Sequence, residues 1–144
     1  MKLFALLITI LLSVSCNGSR TEEFVTYVHS ADELFRQGKD EEAMNALVKA
    51  IDSYSEGTDI FLASGDTLNY CNALLLLCDA SILNLDASRA HKCIRIMQEN
   101  ARFYHGQSEH AYHLCRIKLT ELEDGAEAAV PLIDAYLADL PTEG

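Results

Sequence analysis

Residues 31–50 read ADELFRQGKDEEAMNALVKA, and this stretch decides the fold. Apolar and small residues recur at intervals of three and four on both sides of its centre, which is the period of an amphipathic α-helix. At the centre, Gly38 can adopt the left-handed conformation that ends one helix, and Asp40 can cap the next. The stretch therefore predicts an antiparallel pair of helices joined by a tight turn.

The same helical period extends over residues 24–140, and no segment shows the sustained alternation of period two that is typical of strands. Residues 68–85 are apolar almost all round, which predicts a helix buried between its neighbours. Turn and start signals divide the pattern at 55–58, 65–67, 86–88, 106–108 and 124–125. We therefore predict an all-α fold of three antiparallel helical hairpins, over about 24–57, 66–104 and 107–140.

This pattern resembles the tetratricopeptide repeat, a 34-residue helical hairpin with small residues where its helices touch. Asp40 replaces the aromatic residue that is common in the repeat, and Ser55 replaces its final proline. In the first unit, the small, bulky, turn and close-contact positions of the repeat fall on Ala31, Leu34, Gly38, Ala43, Leu47 and Ala50.

Two further units resemble the repeat less closely. The second aligns 47 residues further on, so the first unit is expected to contain an insertion near residues 59–64. In the third, Arg116 stands where a small residue belongs, although Ala128, Leu132 and Ala135 fit the second helix. The Gly-Asp-Thr-Leu opening at 65–68 is also similar to repeats in extracytoplasmic regions of bacterial sensor proteins. The matching positions of the second unit are Cys78, Ser81, Leu85, Ala90, Ile94 and Met97.

The resemblance implies a short α-solenoid whose first helices line a concave surface that binds a protein or peptide. Phe35 and Arg36 are the best candidates, because aromatic and arginine side chains dominate binding hot spots and Arg36 could hold a peptide carboxylate. Alternatively, Phe35, Leu75 and Ile82 fill core space in a three-hairpin stack that is too short to leave much groove. The groove positions of the repeat fall on Val25, Val28, Asp32, Phe35 and Arg36 in the first hairpin, and on Asn72, Leu75, Asp79, Ile82 and Leu83 in the second.

Residues 1–16 have the composition of a secretion signal. Lys2 precedes an apolar run over residues 3–12, which is shorter than the roughly 20 residues that a membrane-spanning helix needs. The ending LLSVSC resembles a bacterial lipobox, although Ser13 stands where leucine is usual, and the resemblance implies lipidation of Cys16. Ordinary secretion with a free Cys16 and an uncleaved anchor are the alternatives. Residues 17–23 are expected to form a flexible tether to the helical domain.

The chain has a formal net charge of −11, with 11 basic and 22 acidic residues. Binding to nucleic acid needs clustered lysine and arginine, and the sequence contains no such cluster. Motifs of phosphate loops, serine hydrolases and zinc proteases are also missing from the sequence. We therefore expect neither a nucleic-acid partner nor a cofactor, and we expect the protein not to be an enzyme.

The cysteines and histidines raise two questions, whether disulfides form and whether a metal is bound. Beyond Cys16, the cysteines at 71, 78, 93 and 115 are expected to be small buried thiols, with cross-helix disulfides such as Cys78–Cys93 as the alternative. His110 and His113 share a helix face, but with Cys115 they form no recognised zinc spacing, so we expect no metal site.

These patterns together predict a lipoprotein of the bacterial cell envelope, on the periplasmic or surface face of a membrane, whose repeat domain recruits a protein partner. The main alternative is the sensor portion, or a remnant, of a longer repeat-containing signalling receptor, since the chain stops at Gly144 soon after the third hairpin. A third hypothesis is that the protein binds a small ligand, which would require a closed pocket.

Overall fold

The computed structural model describes residues 19–55 and 67–141, and within these ranges the chain is helical and contains no strand. The predicted all-α class is therefore confirmed. The leader with Cys16, residues 17 and 18, and the expected insertion near 59–64 lie outside the described residues. The helices are α1 (Ser19–Arg36), α2 (Asp40–Ser55), α3 (Thr67–Leu83), α4 (Ala87–Glu99), a 3-10 turn (Ala101–Phe103), α5 (Gln107–Asp124) and α6 (Ala126–Asp139).

The helix boundaries follow the turn and cap residues in the sequence. Gly38 has a φ of +73° and Gly125 a φ of +89°, values that glycine adopts without the steric cost that a Cβ imposes. Asp86 caps α4, because its side chain accepts a hydrogen bond from the Arg89 backbone N–H at 3.0 Å. One boundary differs from expectation, because helix α1 begins at Ser19 and residues 19–23 are helical where a tether was expected. Helix α6 begins at Ala126, directly after the predicted turn at 124–125, and contains Pro131.

The turns after α1 and α3 have the same backbone hydrogen bonds, displaced by 47 residues. The Lys39 N–H donates to the Leu34 carbonyl at 2.9 Å, and the Asp86 N–H donates to the Ser81 carbonyl at 2.8 Å. A second hydrogen bond joins residues three apart in each turn, from the Gly38 N–H to the Phe35 carbonyl and from the Leu85 N–H to the Ile82 carbonyl, both at 3.0 Å. The displacement of 47 residues that aligns the second unit with the first in the sequence therefore also relates the hydrogen bonds of the two turns.

Each helix packs on its neighbours in the chain. Contacts join α1 to α2, α3 to α4 and α5 to α6, while α3 also packs on α2, and α5 packs on both α3 and α4. Helix α3 lies at the centre, and every residue from Asn69 to Cys78 is buried, as its apolar sequence predicts.

Small residues lie where the helices approach closely. The Cys78 thiol lies 3.8 Å from the Ala90 carbonyl oxygen, which brings α3 against α4. The Ser81 hydroxyl donates to the Leu77 carbonyl at 2.6 Å and lies 3.8 Å from the Met44 sulfur on α2. Ala43, Ala50 and Ala90 have no exposed surface. Larger side chains at these positions would push the helices apart, which is why the close-contact positions of the first two units are small.

Candidate protein-binding surfaces

The ten predicted groove residues fall into three classes of exposure. Only two are exposed, Arg36 and Leu83. Val25, Asp32, Phe35 and Asp79 are half-buried, and Val28, Asn72, Leu75 and Ile82 are buried in the core. Buried side chains are not available to a partner in this conformation, so at these four positions the packing alternative describes the structure better than the groove assignment does.

Two of the charged groove residues already have partners within the protein. Arg36 forms an ion pair with Asp32 one helical turn earlier, with 2.6 Å between guanidinium nitrogen and carboxylate oxygen. Asp79 accepts a hydrogen bond from the Lys118 ammonium at 2.8 Å, which links α3 to α5. Arg36 would therefore have to exchange one carboxylate for another when it binds a peptide, which reduces the net gain in free energy.

A groove of about 960 Å³ runs along α4. None of the ten predicted residues lines this groove. Two of its charged or titratable lining residues have partners within the protein, since Arg89 pairs with Glu41 of α2 at 3.0 Å and His91 pairs with Glu123 of α5 at 2.7 Å. These pairs hold α4 against its neighbours. Its lining includes Val48, Ile51, Leu77, Lys92, Arg95 and Leu119.

The last two helices expose an apolar surface on the side away from the core. Tyr136, near the end of α6, hydrogen-bonds with His110 near the start of α5 at 2.6 Å, so the two helices run antiparallel. Helical geometry then places the exposed stripe of α6 on the same side of the pair as Leu114 of α5. We call this surface the outer face, and it consists of Leu114, Ile117, Val130, Ile133 and Leu137.

The outer face concentrates exposed apolar side chains. Val130 is 49% exposed, Ile133 38% and Leu137 56%, and they follow one another at spacings of three and four. A second stripe of α6, about 100° around the helix from the first, contains Ala129, which is buried, and Leu132 and Tyr136, which are half-buried. A helix with so wide an apolar face is expected to pack on more than one neighbour, and among the described residues the contacts of α6 are mainly with α5.

Carboxylates border the outer face. Glu127 and Asp134 lie three residues before and four residues after Val130, which places both beside it on the surface of α6. Glu121 lies seven residues after Leu114 and so shares its face of α5. Helix α6 contains no lysine or arginine. The one lysine beside Leu114, Lys118, is bonded to Asp79.

The four cysteines of the described ranges are buried free thiols, as expected. Cys78 lies against Cys115 and close to Cys93, where three helices meet. Burial is the main cause that raises the pKa of Cys93, to about 12, and it also raises the pKa of Cys71. Cys71 and Cys93 are therefore neutral at physiological pH and behave as small apolar groups.

The histidines of α5 pack against α6. His110 hydrogen-bonds with the Tyr136 hydroxyl, and the His113 ring lies 5.3 Å from the Tyr136 ring. In the described part of the chain, no group of three or more histidine, cysteine, aspartate or glutamate side chains could hold a metal ion. The aromatic contacts identify these histidines as part of the α5–α6 interface.

Comparison with known proteins finds no family model, no curated protein and no solved structure that matches the chain. Of the helices in residues 19–55 and 67–141, none is both long enough and apolar enough to cross a membrane.

Sequence reasoning missed the outer face, although its signal is present. Val130, Ile133 and Leu137 lie one residue after Ala129, Leu132 and Tyr136 respectively, so α6 carries two apolar stripes instead of one. The repeat resemblance points to the first helix of each hairpin as the binding surface, because that helix lines the concave side in the repeat family. The exposed stripe of α6 lies on a second helix, outside the positions that the resemblance indicates.

Proposed function

We propose that the protein is a membrane-anchored, extracytoplasmic scaffold or adaptor without catalytic activity, and that its outer face binds a helical segment of a protein partner. The observation that carries this proposal is the outer face itself. Large apolar side chains on two adjacent helices are exposed together, and such patches on a soluble domain mark binding sites.

A tetratricopeptide-like stack is the arrangement that we infer for the hairpins. The support is the displacement by 47 residues of the same turn hydrogen bonds, together with small buried residues at the close-contact positions Ala43 and Ala90. In such a stack, each hairpin offers an apolar face to the next one. The outer face would then be the stacking surface of the third hairpin, presented to a helix from another molecule.

The proposed anchor rests on the leader and on the lipobox-like ending at Cys16. Acyl chains on this cysteine would hold the domain at the membrane, since each buried methylene contributes about 0.8 kcal/mol. Metabolic labelling of the full chain with a clickable fatty acid tests this part. Label is expected on the wild type and on Cys93→Ala, and it is expected to be lost from Cys16→Ser. Label retained by Cys16→Ser would contradict lipidation at this site.

Photo-cross-linking in the producing cell tests the binding function. A photoreactive amino acid replaces Ile133 in one variant, and Asn45, an exposed residue of α2, in the control. We expect a discrete adduct with a second protein from position 133 and none from position 45. Equal adducts from both positions, or none from position 133, would contradict the proposed function. Mass spectrometry of the adduct locates the partner segment.

A further inference from the structure

The charges around the outer face restrict what can cover it. Among the described residues, no ion pair or side-chain hydrogen bond involves Glu121, Asp124, Glu127 or Asp134. Their carboxylates surround the outer face on α5, the turn and α6. A partner that buries the apolar side chains also brings its own flanking residues next to these carboxylates, and opposite charges there favour association.

A second copy of the chain fits this surface poorly. In a symmetric dimer of outer faces, the carboxylates of one copy would lie near the same carboxylates of the other, which is unfavourable. Head-to-tail stacking needs an exposed apolar surface at the other end of the protein. Within the described parts of α1 and α2, no large apolar side chain is exposed, so the described residues of these two helices offer no matching surface.

Electrostatic repulsion also makes a membrane surface an unfavourable occupant. Bacterial membranes carry anionic lipid headgroups, and the carboxylates around the outer face would be repelled by them. The apolar stripe of α6 is narrow and short, because Val130, Ile133 and Leu137 lie on one side of the helix within two turns, about 10 Å along its axis. This shape matches one amphipathic helix laid along α5 and α6.

We propose that the occupant of the outer face is an amphipathic helix of a partner protein whose apolar stripe is flanked by lysine or arginine. This inference rests on the proposed function, because it specifies the partner of the same surface. Leu114, Ile133 and Leu137 contact the apolar stripe, and Glu121, Glu127 and Asp134 pair with the basic flanks. The affinity falls as salt concentration rises, since these ion pairs lie at the solvent-exposed edge.

Selection from a displayed library of random 18-residue helical peptides on the purified full chain tests this inference. We expect the enriched peptides to combine apolar residues at spacings of three and four with an excess of lysine and arginine beside them. Their binding is expected to be lost in Ile133→Asp, whose side chain is exposed, so the fold is retained. Circular dichroism of that variant checks its fold.

A charge-reversal variant separates the two proposals. Glu121→Lys/Glu127→Lys/Asp134→Lys should weaken the enriched basic peptides about tenfold and strengthen synthetic versions with glutamate in place of lysine. The matched control is Glu42→Lys/Glu99→Lys, which reverses exposed carboxylates elsewhere and should leave both affinities unchanged. Enriched peptides with neutral or acidic flanks that still require Ile133 would overturn the basic partner and leave the proposed function standing.

Two other outcomes would overturn both proposals or replace the occupant. If no enriched peptide depends on Ile133, then the outer face is not a binding site for helices, and the proposed function fails as well. Sedimentation of the full chain addresses the second copy. We expect the same mass for the wild type and Ile133→Asp, whereas a dimer that dissociates in Ile133→Asp would show that the outer face pairs with itself.

Discussion

Leu85 adopts the left-handed backbone conformation that Gly38 adopts 47 residues earlier. The φ angles are +60° for Leu85 and +73° for Gly38, and Leu85 is the one non-glycine residue with positive φ among the described residues. A Cβ makes this conformation unfavourable by about 1–2 kcal/mol. The second hairpin therefore makes the same turn as the first at a higher conformational cost.

Replacing Leu85 by glycine should stabilise the protein. Leu85 is 74% exposed, so removal of its side chain loses few packing contacts. Relief of the left-handed strain exceeds the extra entropy that glycine has in the unfolded chain, and we expect a gain of about 0.5–1 kcal/mol in the free energy of unfolding. Urea denaturation of the wild type and Leu85→Gly measures the difference.

The reverse substitution in the first hairpin is the matched control. A Cβ on Gly38 would meet no atom within 4 Å, so Gly38→Ala adds backbone strain without a steric clash. We expect it to lose about 1 kcal/mol. A loss of stability in Leu85→Gly, or no change in Gly38→Ala, would contradict the view that the two turns are equivalent.

The turns could be predicted from the sequence because their chemistry is local. Gly38, Asp86 and Gly125 each act through their own backbone or a nearby N–H, and the structure confirms helix boundaries at all three. The burial of one side of a helix is not determined by nearby residues, because it depends on where distant helices pack. This explains why Val28 and Leu75 were assigned to a groove yet lie in the core, and why the outer face was not foreseen.

Arg89 is expected to contribute to stability as a link between α2 and α4. Its side chain is 21% exposed and lies 3.0 Å from Glu41 and 3.4 Å from Asp86. Because Glu41 lies on α2 and Asp86 caps α4, Arg89 connects the two helices. Arg89→Ala should therefore lose about 1–2 kcal/mol of unfolding free energy. A double-mutant cycle with Glu41→Gln, measured by urea denaturation, isolates the coupling between the two side chains.

The control for this prediction is the Arg36–Asp32 pair. Arg36 is 67% exposed and its partner lies on the same helix, so Arg36→Ala should change the unfolding free energy by less than about 0.5 kcal/mol. Equal losses in Arg89→Ala and Arg36→Ala would show that the contact between α2 and α4 adds nothing to stability.

Stability should decrease at alkaline pH because of the buried thiols. The folded pKa of Cys93 is about 12, above its value in the unfolded chain, so the unfolded state releases this proton first as the pH rises. The stabilising contribution is complete below about pH 8.5, the unfolded thiol pKa, and is lost as the pH approaches 12. Tyr104, whose pKa burial also raises, adds to the loss above about pH 10.

Urea denaturation at pH 7, 9 and 10 checks this pH dependence. Cys93→Ala should be less stable at pH 7, because it leaves a small cavity, but its stability should decline less steeply between pH 7 and 10. Substitution of the exposed Ser30 by alanine is a control that should leave the slope unchanged. A Cys93→Ala slope equal to that of the wild type would show that this thiol does not cause the decline.

Binding by the concave side and binding by the outer face make opposite predictions for two double variants. Ile133→Asp/Leu137→Asp places two carboxylates within the apolar stripe of α6, where a partner would have to bury them without a counter-charge. Phe35→Ala/Arg36→Ala alters the strongest candidates of the concave side instead.

Once the partner segment is identified by cross-linking, we expect its affinity to fall at least tenfold in the α6 variant and less than twofold in the α1 variant. Fluorescence anisotropy with the labelled segment measures both affinities, and circular dichroism confirms that each variant is folded. If the α1 variant lost binding while the α6 variant kept it, the partner site would lie on the concave side that the repeat resemblance indicated.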